Sequence, residues 1–288
     1  MLKKGTLLHE EKPFAHVLSS NFRFTRCDNC YSKTELLKCS GCQYVRYCDR
    51  GCQKVGWTDH KSECPLLRKL PHGRNIPNSA RLIAKIIMKL KRGGDREMGL
   101  YAKNKYRVFR DLMSHYSDIK EDLKKQEHII SLYEVLKEYL GEESLPNSAE
   151  FLGLYGRVVV NSFNILDVEM ASIGTGIYLG ASTIDHSCEP NAVATFTGTK
   201  IHIRALQDFL IYDWSKIRIS YIDLLKTSKE RIEDLMAQYY FLCDCARCLN
   251  VDEERLMNSM LCQNPLCKQP VPVDQVEMYF SVGNSYDL

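Results

Sequence analysis

The sequence predicts an α+β fold that carries an inserted zinc module. Apolar residues recur at helical spacing between about residues 79 and 162, whereas apolar and polar residues alternate in short segments after Gly174. Spacing of three or four residues is typical of amphipathic helices and alternation is typical of strands. A cluster of cysteines within residues 27–64 adds the third observation. A chain of 288 residues suffices for one large domain or two smaller ones.

Three helices are predicted in the first part of the chain. They cover residues 79–90, which end before Gly93-Gly94, then roughly 115–140 and about 148–162. Predicted strands follow at 192–197, 201–204 and 216–221. The capping box Thr227-x-x-Glu230 opens a last helix that leads into Cys243. Gly174-x-Gly176 lacks the third glycine of a nucleotide-binding loop and is interpreted as a turn.

Composition is that of an ordinary globular protein. A net charge of +3 is too small to indicate nucleic-acid binding by itself. Basic residues do cluster near the cysteines, and we interpret them as a solvated face rather than a nucleic-acid site. They are Arg46, Arg50, Lys54, Lys61, Arg68 and Lys69. No apolar run approaches the length of a membrane span, and residues 1–20 lack a signal-peptide core, so an intracellular protein without a membrane partner is expected.

Thirteen cysteines are an unusual number for such a chain. In an intracellular protein they indicate thiolates that hold metal rather than disulfides. Seven lie within 27–64, three within 243–248, two are Cys262 and Cys267, and Cys188 stands alone.

The first cluster has the spacing of zinc ligands. Its pattern is Cys27-x2-Cys30-x8-Cys39-x2-Cys42-x5-Cys48-x3-Cys52-x7-His60-x3-Cys64. Two intervening residues let a tight turn direct both sulfurs to one ion, and three place two ligands on one helix face. Eight ligands make two closed tetrahedral sites of structural type. The interleaved pairing joins Cys27, Cys30, Cys48 and Cys52 on one ion and Cys39, Cys42, His60 and Cys64 on the other, while sequential pairing stays open as the alternative.

This module resembles the MYND zinc finger, with all eight ligands in place. That family binds proline-rich peptides in a groove beside its helix. The resemblance therefore implies a proline-rich peptide partner and a role in peptide binding for Gln53 and Trp57. The alternative is that Trp57 packs the interior of the small module.

A second constellation lies between residues 161 and 248. It comprises Asn161-Ser162-Phe163, the segment 185–191 (Asp-His-Ser-Cys-Glu-Pro-Asn), Ile219-Ser220-Tyr221 and the segment 239–248, which ends in Cys243-x-Cys245-x2-Cys248. Together with the finger, these segments resemble the SMYD family of lysine methyltransferases, in which a MYND finger interrupts a SET domain. The resemblance runs through residues 1–249 in the family's order, and the overall texture suggests an invertebrate member.

The resemblance implies transfer of a methyl group from S-adenosylmethionine to a lysine of a histone or another protein, and a role in chromatin regulation. It assigns Tyr221 as the catalytic tyrosine and places Tyr239 and Phe163 along the lysine channel. It assigns cofactor contacts to His115, Asn161, Asp185, His186 and Phe241. It also implies a post-SET zinc site of Cys188, Cys243, Cys245 and Cys248, which brings the expected number of zinc ions to three. Localisation in cytoplasm and nucleus is expected.

The family pattern further implies SET-type small β-sheets interrupted by the finger and a helical insert. The predicted segments are a remnant of the N-terminal SET half (1–26), the MYND finger (27–64), the helical insert (65–145), core SET (146–226), the post-SET zinc segment (227–250) and a C-terminal extension (251–288). Cys262 and Cys267 are interpreted as unused or as half of a fourth zinc site completed elsewhere.

Four departures from the family pattern keep a second hypothesis open. The cofactor-wrapping Gly-x-Gly loop and the helical C-terminal domain are expected to be missing, so the chain is interpreted as truncated at both ends. Asp185 replaces the family's asparagine, and Phe209–Lys216 lacks its Gly-Glu-Glu turn. The alternative is therefore a catalytically defective zinc-binding module for protein interaction. A nucleic-acid-binding zinc protein is the third hypothesis, supported by the basic cluster alone.

Overall fold

The computed structural model describes residues 1–71, 74–262, 264 and 266–273. These residues form a mixed α+β fold with small sheets, which confirms the predicted fold class. The fold divides into two units. The first contains residues 1–185 and 191–217, and the second contains 186–190 and the described residues from Arg218 onward. Residues 274–288 of the predicted C-terminal extension lie outside the described residues.

The strands are short and mostly antiparallel pairs. In chain order they are β1 (Leu7–Glu11), β2 (Ala15–Leu18), β3 (Leu37–Lys38), β4 (Arg46–Tyr47), β5 (Gly99–Ala102), β6 (Lys105–Arg107), β7 (Ser162–Leu166), β8 (Ser172–Ile177), β9 (Asp185–His186), β10 (Ala192–Thr197), β11 (Lys200–Ala205), β12 (Arg218–Ile219), β13 (Ser259–Leu261) and β14 (Pro270–Pro272). The helices are α1 (Arg50–Lys69), α2 (Asn78–Leu90), α3 (Tyr116–Glu121), α4 (Leu123–Leu140), α5 (Ser148–Asn161), α6 (Ser228–Tyr239) and α7 (Val251–Met257).

Two three-stranded sheets organise the first unit, in the orders β1-β11-β10 and β2-β8-β7. The central strand β8 contains both Gly174 and Gly176, so their interpretation as a turn is wrong. A Cβ on Gly174 would lie 2.6 Å from both the Tyr31 ring and the Val17 carbonyl oxygen. Glycine is required there by close packing, and a strand with glycines at alternate positions shows little of the apolar pattern that identifies strands.

The predicted helices form close to their expected positions. Helix α2 places Ile83 and Ile86 in the core, where each is almost fully buried. The predicted helix at 115–140 is instead two helices, α3 and α4, because Asp122 adopts an extended conformation and its carboxylate accepts the Lys125 N–H at 3.1 Å. An aspartate at this position satisfies an N–H that has no partner within the helix.

The second unit begins its main helix as the sequence predicts. Thr227 and Glu230 form both hydrogen bonds of the capping box at the start of α6. The helix ends where Tyr240 adopts a left-handed conformation with φ 59°. Strand β12 is shorter than the predicted strand 216–221 because Trp214–Lys216 forms a 3-10 turn. Among the described residues, no helix has the combined length and apolar character that a membrane crossing needs.

Candidate functional site

The first group of candidate ligands is Cys27, Cys30, Cys48 and Cys52. Their sulfurs all lie within 4.8 Å of one another. The Cys27 and Cys52 sulfurs are 3.5 Å apart, and those of Cys30 and Cys48 are 3.7 Å apart. With a Zn–S bond of about 2.3 Å, a tetrahedron has sulfurs about 3.8 Å apart. The four positions therefore fit a closed tetrahedral zinc site.

The second group is Cys39, Cys42, His60 and Cys64, all of them buried. The Cys39 and Cys64 sulfurs are 3.8 Å apart, and the Cys42 sulfur lies 3.5 Å from His60 Nε2. The other ring nitrogen, Nδ1, lies 3.3 Å from a Glu63 carboxylate oxygen. A carboxylate on the far nitrogen orients a metal-binding histidine. The two groups alternate along the chain, so the ligands are interleaved rather than sequential.

The third group is Cys188, Cys243, Cys245 and Cys248, again within 4.8 Å. The Cys188 sulfur lies 3.9 Å from that of Cys243 and 3.4 Å from that of Cys248. The buried guanidinium of Arg231 approaches the Cys248 sulfur at 3.9 Å and donates to Ser228 Oγ at 3.0 Å. A buried cation beside four thiolates offsets part of their negative charge.

The acidities of these thiols fit metal ligation. Burial raises the pKa of Cys27 and of Cys243 to about 11. The pKa of Cys245 is instead about 7: burial alone would raise it, but backbone N–H groups of Cys248 and Cys188 outweigh burial. The Cys27 and Cys243 thiols, with their raised pKa, become thiolates near neutral pH only beside a strong cation. Zinc supplies that charge. Sulfur and imidazole donors in closed groups of four are those of structural zinc.

An aromatic cluster lies next to the third group in the second unit. The Tyr221 ring centroid is 4.8 Å from that of Tyr239 and 5.3 Å from that of His186, and the Phe241 ring is 6.0 Å from His186. The sharp turn at Tyr240 after α6 allows Tyr239 and Phe241 to meet this cluster. Burial raises the pKa of Tyr239, so its hydroxyl stays neutral.

His186 connects the aromatic cluster to the third ligand group. Burial, and then the charge of Arg231, lower its pKa to about 4, so the ring is neutral near pH 7. Its Nδ1 accepts the Tyr221 backbone N–H at 3.1 Å. The proton therefore resides on Nε2, which donates to the Cys188 sulfur at 3.2 Å. One imidazole thus fixes the Tyr221 backbone and a zinc-ligand sulfur at the same time.

The remaining residues assigned by resemblance lie in the first unit. They are His115, Asn161, Phe163 and Asp185. Asn161 ends α5, and its Nδ2 donates to the Met113 and Arg157 carbonyl oxygens, both at 2.8 Å. His115, in a left-handed conformation, lies 3.0 Å from the Asp118 carboxylate. The structure therefore places Asn161 beside the segment that contains His115.

Phe163 and Asp185 both lie in strands. Phe163 lies in β7, paired with Gly176, and its ring meets that of Tyr178 edge-to-face at 5.6 Å. Asp185 is exposed to solvent at the start of β9.

The two candidate peptide-binding residues lie one turn apart on α1. Trp57 is 44% exposed, and the edge of its ring system approaches the His60 ring, with centroids 5.7 Å apart. Gln53 is half-buried. The indole thus packs partly against a ligand of the second group and is partly open to solvent, and its role in peptide binding stays a prediction.

Sequence reasoning missed the charged residues around the ligand groups. Glu63, Arg81 and Arg231 are almost fully buried and lie against metal-ligand residues or their partners. A usable signal existed in His60-x2-Glu63 on one helix face and in Arg81 within the mostly apolar run 80–87, whose other charged residue is Lys85. Charged residues are rarely buried unless they are paired.

The chain matches one family model and is similar to several known proteins. The MYND finger family model matches residues 26–64. The histone-lysine N-methyltransferase SMYD3 of Homo sapiens is 34% identical over 259 residues, which cover 88% of this chain and 58% of the relative. The N-lysine methyltransferase SMYD2 of Mus musculus is 32% identical over 254 residues, covering 87% and 57% respectively. The histone-lysine N-methyltransferase ASHR1 of Arabidopsis thaliana is 29% identical over 273 residues, covering 92% and 56%.

The chain thus spans somewhat more than half the length of the relatives it matches. The matched region contains the finger, the aromatic cluster and the third cysteine group in one chain. The protein is a homologue of the SMYD family of SET and MYND lysine methyltransferases.

Proposed function

We propose that this protein transfers a methyl group from S-adenosylmethionine to the side-chain amine of a protein lysine. The observation that carries the proposal is the cluster of Tyr221, Tyr239, Phe241 and His186, held against a zinc-ligand sulfur through His186. The SMYD relatives support it, since their names describe lysine methyltransferases.

The chemistry requires a neutral amine in a fixed orientation. A lysine has a pKa of about 10.4 in water and attacks only after it loses its proton. Burial among aromatic rings disfavours the ammonium form and so lowers that pKa. The Tyr239 hydroxyl, whose pKa is raised by burial, and the Tyr221 hydroxyl can each accept or donate a hydrogen bond and so orient the amine. Orientation then supplies much of the acceleration, because a displacement of about 1 Å can cost on the order of a hundredfold in rate.

The residues assigned to the cofactor have suitable chemistry. When bound, S-adenosylmethionine supplies the methyl group. Asn161 already uses its amide nitrogen on two backbone carbonyls, so its oxygen is the group that remains to accept from an ammonium. Asp185 is likewise an acceptor, so the departure from the family's asparagine keeps a partner for an ammonium group. Phe241 offers an aromatic surface. His115 is assigned to the cofactor by resemblance alone.

The test compares Tyr221→Phe with the wild type and with Tyr106→Phe, a control in which the tyrosine is exposed and lies in β6. Methyl transfer to protein lysine is measured with labelled cofactor, and zinc content is checked in each variant. We expect Tyr221→Phe to lose more than tenfold in rate and Tyr106→Phe to keep the wild-type rate. A fully active Tyr221→Phe would remove Tyr221 from the reaction.

A second candidate function is protein binding by the finger alone, favoured by the exposed Trp57 on α1. Calorimetric titration with S-adenosylmethionine separates the two, since a pure binding module has no need of the cofactor. For the finger itself, we expect Trp57→Ala to weaken binding of a proline-rich peptide at least tenfold with all zinc retained. Unchanged peptide affinity would show that the indole is not part of the binding surface.

A further inference from the structure

We propose that Arg81 is a positioning residue shared by both zinc centres of the finger, and that it couples their occupancy to the sheet β2-β8-β7. Arg81 lies in α2, outside the finger, and only 4% of its surface is exposed. Its guanidinium donates to both oxygens of Asp28, at 2.8 and 3.0 Å, and to both oxygens of Glu63, at 2.6 and 3.0 Å. One side chain therefore bridges two buried carboxylates.

Each carboxylate is next in sequence to a ligand of a different zinc centre. Glu63 contacts His60 Nδ1 at 3.3 Å, so it orients one ligand of the second group, and it directly precedes a second ligand, Cys64, in the chain. Asp28 directly follows Cys27, a ligand of the first group, and its backbone N–H donates to the Arg46 carbonyl oxygen at 2.8 Å. Because a guanidinium presents its donors in a rigid fork, it fixes the orientation of both carboxylates at once.

Charge pairing makes Arg81 the common partner of both carboxylates. Asp28 is 8% exposed and Glu63 is 1% exposed, and the Arg81 guanidinium is the cation that they share. A buried charge is strongly destabilising when its partner is removed. Without the guanidinium the two carboxylates would therefore shift, and Glu63 would no longer hold His60 as it does now.

Helix α2 is also hydrogen-bonded to the backbone at strand β2 of the sheet β2-β8-β7. One and two turns along α2 from Arg81, the ammonium groups of Lys85 and Lys89 donate to the backbone carbonyl oxygens of His16 and Phe14, respectively. His16 belongs to β2, which pairs with β8, and β8 pairs with β7. An unbroken set of contacts therefore runs from the zinc ligand His60 through α2 to the backbone of this sheet.

The experiment measures zinc retention in the full chain. Protein loaded with zinc is exposed to limiting chelator and alkylated over time, and peptide mass spectrometry reports which cysteines have lost their metal. The variants are Arg81→Met, Arg81→Lys, Asp28→Asn and Glu63→Gln. The matched control is Arg92→Met, because Arg92 also joins the end of α2 to α1, through Thr58 and Asp59, but touches neither buried carboxylate.

We expect Arg81→Met to expose the cysteines of both finger groups 10- to 100-fold faster, as loss of an outer-shell partner does elsewhere. Arg81→Lys should fall between Arg81→Met and wild type. Cys243, Cys245 and Cys248 should react at the wild-type rate, which separates this effect from general unfolding. Glu63→Gln should accelerate only the group that contains His60, and Asp28→Asn only the group that contains Cys27.

Acceleration of one finger group alone in Arg81→Met, or an equal effect of Arg92→Met, would overturn the proposal. Should Arg81→Met not fold, the two carboxylate variants decide, and unchanged alkylation in both would overturn it. Hydrogen exchange tests the coupling: removal of finger zinc from the wild type should speed exchange of β2 amides at least tenfold. Unchanged β2 protection would refute the coupling. None of these readouts requires methyl transfer, so the outcome is independent of the proposed activity.

Discussion

Replacing Gly174 by alanine tests whether β8 lies at its closest possible distance from the finger. The added Cβ would lie 2.6 Å from Tyr31 Cε2, 2.7 Å from the Tyr31 hydroxyl and 2.6 Å from the Val17 carbonyl oxygen. The Tyr31 side chain is buried, and its hydroxyl meets His16 Nδ1 at 3.1 Å. The carbonyl is part of the paired strand β2. Neither neighbour can move away without breaking a contact.

The loss of folding stability in Gly174→Ala is the difference between two opposing free-energy contributions. Overpacking costs about 1–3 kcal/mol, and clashes with a fixed ring and with backbone place this site near the upper end. Replacing glycine reduces the entropy of the unfolded chain and returns about 0.4–1 kcal/mol. The net loss should be about 2 kcal/mol, or roughly 4–8 °C in the thermal midpoint for a chain of this size. Thermal unfolding of zinc-saturated protein, followed by circular dichroism, measures it.

Two other glycines provide matched controls. A Cβ on Gly176 would meet Tyr178 at 3.0 Å and Ile165 at 3.2 Å, so Gly176→Ala should cost less. A Cβ on the buried Gly153 of α5 would meet mainly the flexible end of Arg157, at 3.1 Å, and alanine favours the helix by about 1 kcal/mol. The midpoint should rise in the order Gly174→Ala, Gly176→Ala, wild type, Gly153→Ala. A Gly174→Ala variant that unfolds at or above the midpoint of Gly176→Ala would refute the reasoning.

Three more measurements test other parts of the molecule. Cys188→Ser should lower bound zinc from three equivalents to two by elemental analysis, and three equivalents in the variant would argue against the third site. Arg231→Met should destabilise the second unit by at least about 2 kcal/mol in denaturant, because the buried guanidinium donates to the Lys226 carbonyl and to Ser228 Oγ; wild-type stability would contradict this. Burial, and then a neighbouring lysine, lower the pKa of His16 to about 3, so only the unfolded chain binds a proton below the ordinary value of 6.5. Compared with His16→Gln, the wild type should therefore lose up to about 1.4 kcal/mol per pH unit as the pH falls from 6.5 toward 3, whereas an equal pH dependence of the two proteins would show that this histidine titrates freely.

Local geometry explains what the sequence could predict. Ligand spacing of two or three residues is set by a single turn or one helical turn, so the eight finger ligands were recognisable without any tertiary information. The capping box at Thr227 and the amphipathic helix α2 are local for the same reason. The third group was harder, because Cys188 lies 55 residues from Cys243 along the chain, and only the family resemblance joined them.

Long-range contacts account for what the sequence could not show. Residue 174 must be glycine because Tyr31, far away in sequence, occupies the space that a Cβ would fill. Arg81 looks like an interruption of an apolar helix face until Asp28, 53 residues earlier, is placed beside it. Spacing rules contain no information about such partners, so buried charges and glycine strands are misread when the chain is treated as a series of local segments.

The interleaving of the finger ligands has a consequence for how the protein is made. The sulfurs of Cys27 and Cys52 are 25 residues apart along the chain, and those of Cys39 and Cys64 are likewise 25 apart. As the chain leaves the ribosome, neither metal can gain its fourth ligand until Cys52 has emerged. By then Cys39 and Cys42, the first two ligands of the second group, have emerged as well. The first centre therefore has all four ligands before the second does. A nascent chain that stalls between Cys52 and Cys64 holds one complete set of zinc ligands and, in Cys39 and Cys42, one pair of thiols without their full set.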